Sequence, residues 1–186
     1  MLDLAGLAAF IAEHHSRDLI RVETLDRYVS ASDGSELERF LRGEPAPDRA
    51  AKASWLNRIR VDTDAGRVWR RLRVVDPPLT DYVRYACEWG YTDNTAAGEQ
   101  VRVLDLSGAP VGARALVGVG DFYLLDDTRV VAMRYDQAGV FTGAEPVGDP
   151  YAEVYRAAVR AAWSNAEPFD RWWSRHPEHH RSAAVR

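Results

Sequence analysis

GRVWRRLRVVDPPLTDYVRYACEWGY, residues 66–91, predicts a strand, a break at two consecutive prolines and a helix rich in aromatic and charged residues. Within the strand, 67–75, aliphatic residues alternate with Arg71 and Arg73, so the two arginines share one face. Asp76 and the proline that follows it suit the N-cap and first turn of the helix, and Thr80 is the alternative N-cap. We therefore expect the rest of the chain to pack around this strand–helix unit.

The segments after this stretch predict a mixed sheet. A strand at 100–106, reached through the helix at 79–90, predicts a parallel crossover, because parallel neighbours need a long connection. Short turns separate three further strands, which predicts an antiparallel meander. These strands are 121–126, 129–135 and 140–146. Residues 107–120 are rich in Gly and Ala and are expected to form a loop, and 150–166 is expected to form an amphipathic helix.

Together these elements predict an α+β (mixed α/β) domain with a mixed sheet of five to six strands. Residues 1–66 are expected to form a helical N-terminal segment with one strand, at 18–25, that packs on the main domain. The mixed-sheet domain itself is expected to span 67–173. Residues 174–186 are polar and are expected to be a disordered tail.

Composition excludes several classes of protein. The formal net charge of −4 over 186 residues argues against direct nucleic-acid binding, which usually requires a basic excess. A single cysteine, Cys87, permits neither a disulfide within one chain nor a cysteine-based zinc site. The first residues lack a basic region and include Asp3 and Glu13, which fits neither a signal peptide nor a membrane span. A cytoplasmic location without membrane contact is therefore expected.

The sequence shows no familiar catalytic motif, so no catalytic residue is assigned. It contains no G-x-S-x-G, no P-loop and no G-x-G-x-x-G after a strand. Cys87 is expected to be a core residue because no histidine lies near it in the sequence. His176, His179 and His180 lie in a polar tail without a scaffold, so neither a metal site nor another cofactor is expected.

The arginines and tyrosines around the strand–helix junction form the candidate ligand-binding surface or interface. Ligands favour the carboxyl ends of parallel strands, and interfaces are enriched in Tyr, Trp and Arg. The candidate residues are Arg21, Glu23, Tyr28, Arg73, Asp81, Tyr82, Arg84, Tyr85, Glu99, Arg102 and Asp121. The alternative interpretation is that the aromatic residues belong to the core and the arginines are solvated.

Several of these residues resemble the pattern of an uncharacterised actinobacterial family, the domain of unknown function DUF6879. The residues that carry the resemblance are Arg21-Val-Glu23, Tyr28, RVVDPPLTDYVRY at 73–85, Asn94, Gly98-Glu99, Arg102 and DFYLLDD at 121–127. It covers about 10–170. The resemblance implies no activity, but it implies an association with helix-turn-helix regulators and hence a regulatory role.

The order of elements is also similar to one half of a phospholipase D-like domain, a weaker resemblance. That superfamily carries a His-x-Lys-x4-Asp motif, and no His-x-Lys occurs in this chain. The nearest matching positions are Asp121, Tyr123 and Thr128. Even with a similar fold, the phosphohistidine chemistry of that superfamily would therefore be absent, and a ligand-sensing role is what the resemblance implies.

The first functional hypothesis is a non-catalytic cytoplasmic regulatory or ligand-sensing domain. It would act through a protein partner such as a helix-turn-helix regulator, and it could bind a small anionic ligand. The alternative is an enzyme that acts on a small anionic substrate through Glu23, Arg73, Tyr82, Arg84, Glu99, Arg102 and Asp121 in one cleft. Homo-oligomerisation is left open.

Overall fold

The computed structural model describes residues 1–29 and 35–181. Its helices are α1 (Leu4–His14), α2 (Glu36–Leu41), α3 (Arg49–Asp64), α4 (Asp81–Tyr85), a π-helix (Ala86–Tyr91), α5 (Thr92–Ala96), α6 (Val111–Val119), α7 (Tyr151–Asn165), α8 (Phe169–Arg175) and a 3₁₀ turn (Pro177–His179). Its strands are β1 (Asp18–Glu23), β2 (Val68–Val75), β3 (Gln100–Asp105), β4 (Phe122–Leu125), β5 (Arg129–Tyr135), β6 (Phe141–Val147) and β7 (Glu167–Pro168). No helix in the described ranges has both the length and the apolar character needed to cross a membrane.

The strands form one mixed sheet in the order β6-β5-β4-β1-β2-β3-β7. β2 pairs in parallel with both β1 and β3, and β4, β5 and β6 form an antiparallel meander. The α+β class, the crossover and the meander are confirmed. The sheet has seven strands where five to six were predicted, and the two-residue β7 is too short to leave an alternating pattern in the sequence.

The N-terminal segment contributes a central strand. β1 lies between β4 and β2, with Val22 opposite both Leu72 and Phe122. The boundary predicted at residue 66 therefore runs through the middle of the sheet, and residues on both sides of it build the same core.

One face of the sheet is an aliphatic core covered by α6 and α7. It includes Val22, Leu72 and Leu104 from neighbouring strands. The existence of α6 corrects the expectation of a loop over 107–120. Its glycines disfavour helix in isolation, but Ala113 and Leu116 are buried against the sheet and α7, and that packing outweighs propensity.

The opposite face of the sheet is covered by α1, α3 and the segment from α4 to α5. Helix α4 begins after Thr80, whose hydroxyl accepts a hydrogen bond from the Val83 N–H at 3.2 Å. The predicted regular helix over 79–90 is interrupted by the π-helix, which is the main local departure from the sequence prediction. A π-turn contains one residue more than an α-turn, so it changes which side chains downstream face the sheet.

Two contacts cover the margins of the sheet. At one margin, β7 pairs antiparallel with β3 through Arg102 opposite Pro168. At the other, the backbone of Leu2 exchanges two hydrogen bonds with Ala144 of β6, at 2.6 and 2.8 Å.

The C-terminal segment is ordered as far as Arg181, which corrects the disorder predicted from residue 174 onward; residues 182–186 lie outside the described part of the chain. Arg181 anchors it: its backbone N–H and Nε donate to Glu88 at 3.1 and 2.8 Å. Its Nη1 donates to the carbonyls of Phe40 and Glu44 at 3.0 and 2.9 Å, and its guanidinium lies 4.1 Å from the Phe40 ring centroid. The polar sequence of this segment does not predict its order, because the contacts that hold it are made with elements far away in the chain.

Candidate functional site

The candidate site is a group of charged and polar side chains on the second face of the sheet, which we call the buried charge network. Its members are Arg21, Glu23, Tyr28, Arg71, Arg73, Tyr91, Asn94, Glu99 and Asp121. Three guanidinium groups and three carboxylates face one another here, so the network is close to neutral overall. A buried charge is costly without a partner, and this pairing is what allows the network to exist.

Arg71 joins the two halves of the network. Its Nη1 donates to Glu23 Oε1, and its Nε and Nη2 lie 3.1 Å from Glu99 Oε1. Glu99 is 2 % exposed, and its second oxygen accepts a hydrogen bond from Asn94 Nδ2 at 2.7 Å. The side chain of Arg71 is therefore a buried bridge between the carboxylate at the end of β1 and the carboxylate that immediately precedes β3.

Glu23 has both carboxylate oxygens occupied. Oε1 accepts hydrogen bonds from Arg71 and from Arg21 Nε at 2.9 Å, and Oε2 accepts one from the Tyr91 hydroxyl at 2.7 Å. Burial alone would raise the pKa of Glu23, but the guanidiniums of Arg71, Arg21 and Arg73 outweigh that effect and lower the pKa to about 2. Glu23 is therefore ionised at neutral pH and poorly suited to accept a proton.

Asp121 fixes the loop that follows β1. Its Oδ1 accepts hydrogen bonds from the backbone N–H and the hydroxyl of Thr24, at 2.8 and 2.7 Å. Its Oδ2 accepts a hydrogen bond from the Tyr28 hydroxyl at 2.5 Å. Asp121 is 5 % exposed and both of its carboxylate oxygens are occupied, so its role here is to hold the loop.

Arg73 carries unpaired hydrogen-bond donors. Its side chain is 0 % exposed, Nη2 donates to the Leu25 carbonyl at 2.6 Å, and the guanidinium lies 5.7 Å from the Tyr28 ring centroid. Of the residues that the structure describes, none accepts a hydrogen bond from Nε or Nη1. A buried donor without a partner costs about 1–3 kcal/mol, so an acceptor from outside the chain would be bound favourably at this position.

The environment of Arg73 keeps it cationic and keeps the thiol of the nearby Cys87 neutral. Burial lowers the pKa of Arg73, but the nearby oxygens of Tyr91, Tyr28 and Glu23 raise it above the ordinary value. Burial raises the pKa of the Cys87 thiol to about 12. Cys87 is therefore a protonated core residue, as the lack of a nearby histidine in the sequence suggested, and not a thiolate nucleophile.

A surface depression lies next to the network at the carboxyl end of β1. Its volume is about 490 Å³, and its walls come from the loop after β1 and the turn between β5 and β6, including Leu25, Arg27 and Asp136. Leu25 belongs to both places, since its carbonyl accepts the hydrogen bond from Arg73. Leu25, in the loop after β1, thus contacts both the depression and the buried guanidinium.

Six of the residues proposed from sequence meet in the network. They are Arg21, Glu23, Tyr28, Arg73, Glu99 and Asp121. Their arginines are not solvated, as the alternative interpretation held, because β2 is central in the sheet and is covered on both sides by helices. Tyr82 lies beside the network, with its ring centroid 5.7 Å from that of Tyr28.

The other proposed residues lie elsewhere. Asp81 is exposed in the first turn of α4, and Tyr85 packs at 5.8 Å from Phe40 in a separate aromatic cluster. Arg84 donates to the carbonyl of Glu178 at 3.1 Å. Arg102 is on the aliphatic face, where it donates to the Trp163 carbonyl at 2.9 Å. The single cleft suggested for the enzyme alternative does not form, because Arg84 and Arg102 lie away from its other members.

Sequence reasoning did not assign Arg71, Tyr91 or Asn94 to the site. Arg71 could have been found from its spacing, since it shares a strand face with Arg73 and a central parallel strand is buried on both faces. Tyr91 could not, because its orientation toward Glu23 depends on the π-helix.

Comparison with known proteins gives a match to one protein family. A family model described as "Domain of unknown function (DUF6879)" matches residues 6–174. Neither the curated proteins nor the solved structures contain a match to the chain.

Proposed function

The chain belongs to the DUF6879 family, and from this premise we propose that it is a non-catalytic, cytoplasmic ligand-sensing domain that binds a small anion and acts through a protein partner. The observation that carries this proposal is the buried guanidinium of Arg73, in which two donor nitrogens, Nε and Nη1, have no acceptor among the described residues. A carboxylate or phosphate oxygen provides the missing acceptor and favours a planar guanidinium donor.

The state of the carboxylates supports binding over catalysis. Glu23, Glu99 and Asp121 each accept hydrogen bonds or ion pairs on both oxygens. A general base needs a lone pair directed at the substrate and a pKa near the working pH. The lowered pKa of Glu23 and the saturated oxygens of its neighbours fit a binding site held rigid by its own ion pairs.

The loop after β1 supports a sensing role. Leu25 contacts Arg73 from one side and lines the surface depression on the other. An anion that engages Arg73 would compete with the Leu25 carbonyl for the guanidinium, and the loop would have to move. A protein partner could contact the loop directly and respond to its movement, because Asp26 and Arg27 are exposed to solvent.

Thermal unfolding in the presence of small anions tests the proposal. Phosphate, sulfate, citrate and a set of mononucleotides at millimolar concentration are added separately to the full chain, at constant ionic strength with chloride as reference. We expect at least one anion to raise Tm in a saturable way and to lose that effect in Arg73→Met. The matched control is Arg134→Gln, which removes an exposed arginine paired with Glu145 and should respond like the unmodified chain.

A response that survives in Arg73→Met, or an equal response in every anion including chloride, would contradict the assignment of Arg73. The partner is tested separately by pull-down from native cells with and without the stabilising anion. Recovery of the same helix-turn-helix regulator in an anion-dependent amount is the expected result. Recovery of the chain alone under both conditions would count against a sensor that acts through a partner.

A further inference from the structure

The sequence His176-Pro-Glu-His-His180 was assigned no metal because a disordered tail offers no scaffold. The structure removes that objection. Arg84 Nη2 donates to the carbonyl of Glu178 at 3.1 Å, and Arg181 anchors the next turn to Glu88. His179 and His180 are thus held between two fixed points on the surface of α4 and the π-helix, and His176 directly follows α8.

Three side chains converge within this segment. His176, Glu178 and His179 each offer one ligand atom, and these atoms all lie within 4.8 Å of one another. His176 Nδ1 is 2.8 Å from Glu178 Oε1, and His179 Nε2 is 3.8 Å from the same oxygen. The 3₁₀ turn over Pro177–His179 produces this convergence, because residues three apart lie nearly above one another in such a turn.

We propose that His176, Glu178 and His179 form a binding site for a divalent transition metal ion of the Zn²⁺ class, with water completing the coordination. Two imidazoles and one carboxylate are a donor set that Zn²⁺ accepts at about 2.0–2.2 Å, whereas Ca²⁺ and Mg²⁺ prefer oxygen ligands alone. This site is distinct from the buried charge network and does not depend on the function proposed for it.

Closure around the ion requires only side-chain rotation. The imidazole planes of His176 and His179 lie 11° apart with centroids at 5.5 Å, and a metal ion lies in the plane of each ring that ligates it. One ring must therefore turn. Glu178 is 59 % exposed and free to follow, while His179, at 12 % exposed, is seated against Trp172.

Trp172 provides an internal reporter of the site. Its ring lies 4.8 Å from the His176 ring and 5.6 Å from the His179 ring, centroid to centroid. His180 lies beside the site but is engaged elsewhere, with Nε2 2.9 Å from the Trp173 carbonyl. Rotation of His176 or His179 toward an ion would change the environment of the Trp172 indole.

The test uses the full chain without an affinity tag, treated with EDTA and then freed of it. ZnCl₂ is titrated by calorimetry, CoCl₂ by visible absorption and NiCl₂ by quenching of tryptophan fluorescence. We expect one equivalent of Zn²⁺ to bind and Tm to rise with it. The double variant His176→Gln/His179→Gln should weaken binding at least tenfold, and Glu178→Gln, which changes an exposed side chain, should weaken it severalfold without altering the fold. His14→Gln, at the end of α1, is the control and should bind Zn²⁺ as the unmodified chain does.

Three results would overturn the site: no saturable Zn²⁺ binding, equal binding by the unmodified chain and the double variant, or an equal response to MgCl₂. The circular dichroism spectrum of each variant separates loss of ligands from loss of structure. If the double variant is unfolded, Zn²⁺ binding by the Glu178→Gln variant alone decides whether the site exists. Binding equal to that of the unmodified chain would then overturn it.

Discussion

Arg71 and Arg73 lie two residues apart on one face of β2, yet they have opposite surroundings. Arg71 is paired with Glu23 and Glu99, whereas Arg73 contacts a backbone carbonyl and an aromatic ring and has unpaired donors in the described structure. Removing one partner of a buried ion pair leaves the other partner charged and unpaired. The two arginines should therefore differ strongly in their contribution to stability.

Arg71→Met should lower the free energy of unfolding by about 3–5 kcal/mol, because it leaves the buried Glu99 without a cation and leaves Glu23 with Arg21 as its one paired arginine. Arg73→Met has the same change of shape and should cost clearly less, since no described carboxylate accepts a hydrogen bond from Arg73. Urea denaturation followed by tryptophan fluorescence measures both. Equal losses in the two variants would show that Arg73 is a structural ion-pair partner and would weaken its assignment as an anion receptor.

Glu23 makes stability depend on pH in the acid range. Its pKa is lowered to about 2 in the folded chain from an ordinary value of 4.5, so unfolding takes up a proton at intermediate pH. The stabilisation is complete above the ordinary value and is lost as pH falls from about 4.5 toward 2. Urea denaturation across this range should show a drop that is smaller in Glu23→Gln, and an identical pH profile in both chains would contradict the prediction.

For individual residues, the sequence predicted which side chains belong to the site better than it predicted their burial. The period-two pattern placed Arg71 and Arg73 on one face, and Glu23, Glu99 and Asp121 were all proposed for the site. It could not show that these groups are buried, because their burial results from strand pairing on both sides of β2 and from helices far away in the chain. The match between arginines and carboxylates in the network is likewise visible only when β1, β2 and β3 are aligned.

The π-helix is the element that determines which side chains of the helical segment reach the network. Each residue advances an α-helix by about 100°, so the extra residue of a π-turn rotates everything after it. That rotation brings the Tyr91 hydroxyl to Glu23, whereas the hydrogen bond from Asn94 to Glu99 is a local contact made after the π-helix. The sequence predicted a helix over this stretch, but an α-helix and a π-helix have too similar a residue pattern to be distinguished.

Deletion of Gly90 should restore α-helical spacing and remove the hydrogen bond from Tyr91 to Glu23. The acceptor is a buried carboxylate, so the deletion should lower the free energy of unfolding by about 1–3 kcal/mol. Gly90→Ala is the matched control: no heavy atom lies within 4 Å of the added Cβ, and the chain length is unchanged. We expect the alanine variant to match or slightly exceed the unmodified chain in urea denaturation. A deletion variant as stable as the alanine variant would show that the spacing is not critical.

Arg181 controls the order of the C-terminal segment. Arg181→Ala removes the hydrogen bonds from Nε and Nη1 and the contact with the Phe40 ring. We expect faster amide hydrogen exchange in residues 176–181 and little change in the central strands, because local opening exposes only the segment that the anchor holds. Arg171→Ala, which removes an exposed arginine from α8, serves as the control. Unchanged exchange in the Arg181 variant would mean that other contacts hold the segment.

The whole molecule is built around a strand that belongs to its N-terminal third. A chain that begins at residue 67 lacks β1, which pairs with both β2 and β4. It also lacks Ile20 and Val22 from the aliphatic core. We expect this shortened chain to show no cooperative thermal unfolding by calorimetry or circular dichroism. A chain that ends at Arg181 is the control and should unfold cooperatively, and the same behaviour from the 67–186 chain would contradict the central role of β1.

The topology could be predicted in outline for a physical reason. Crossover length and short turns are local properties of the sequence, so the parallel unit β2–β3 and the meander β4–β6 were both expected. The position of β1 is a long-range property: it joins the parallel unit to the meander, and no local pattern specifies its neighbours. Helix α6 was missed for the same reason, since its stability comes from packing on α7.

The two-residue strand β7 has a consequence for how this chain behaves at high concentration. An uncovered sheet margin can recruit strands from other molecules, and proline is one of the residues that prevents such recruitment. Pro168 has no N–H to offer a neighbouring chain, and it lies opposite Arg102 on the outer strand of the parallel unit. The chain therefore carries a built-in protection against intermolecular strand addition and aggregation at this margin.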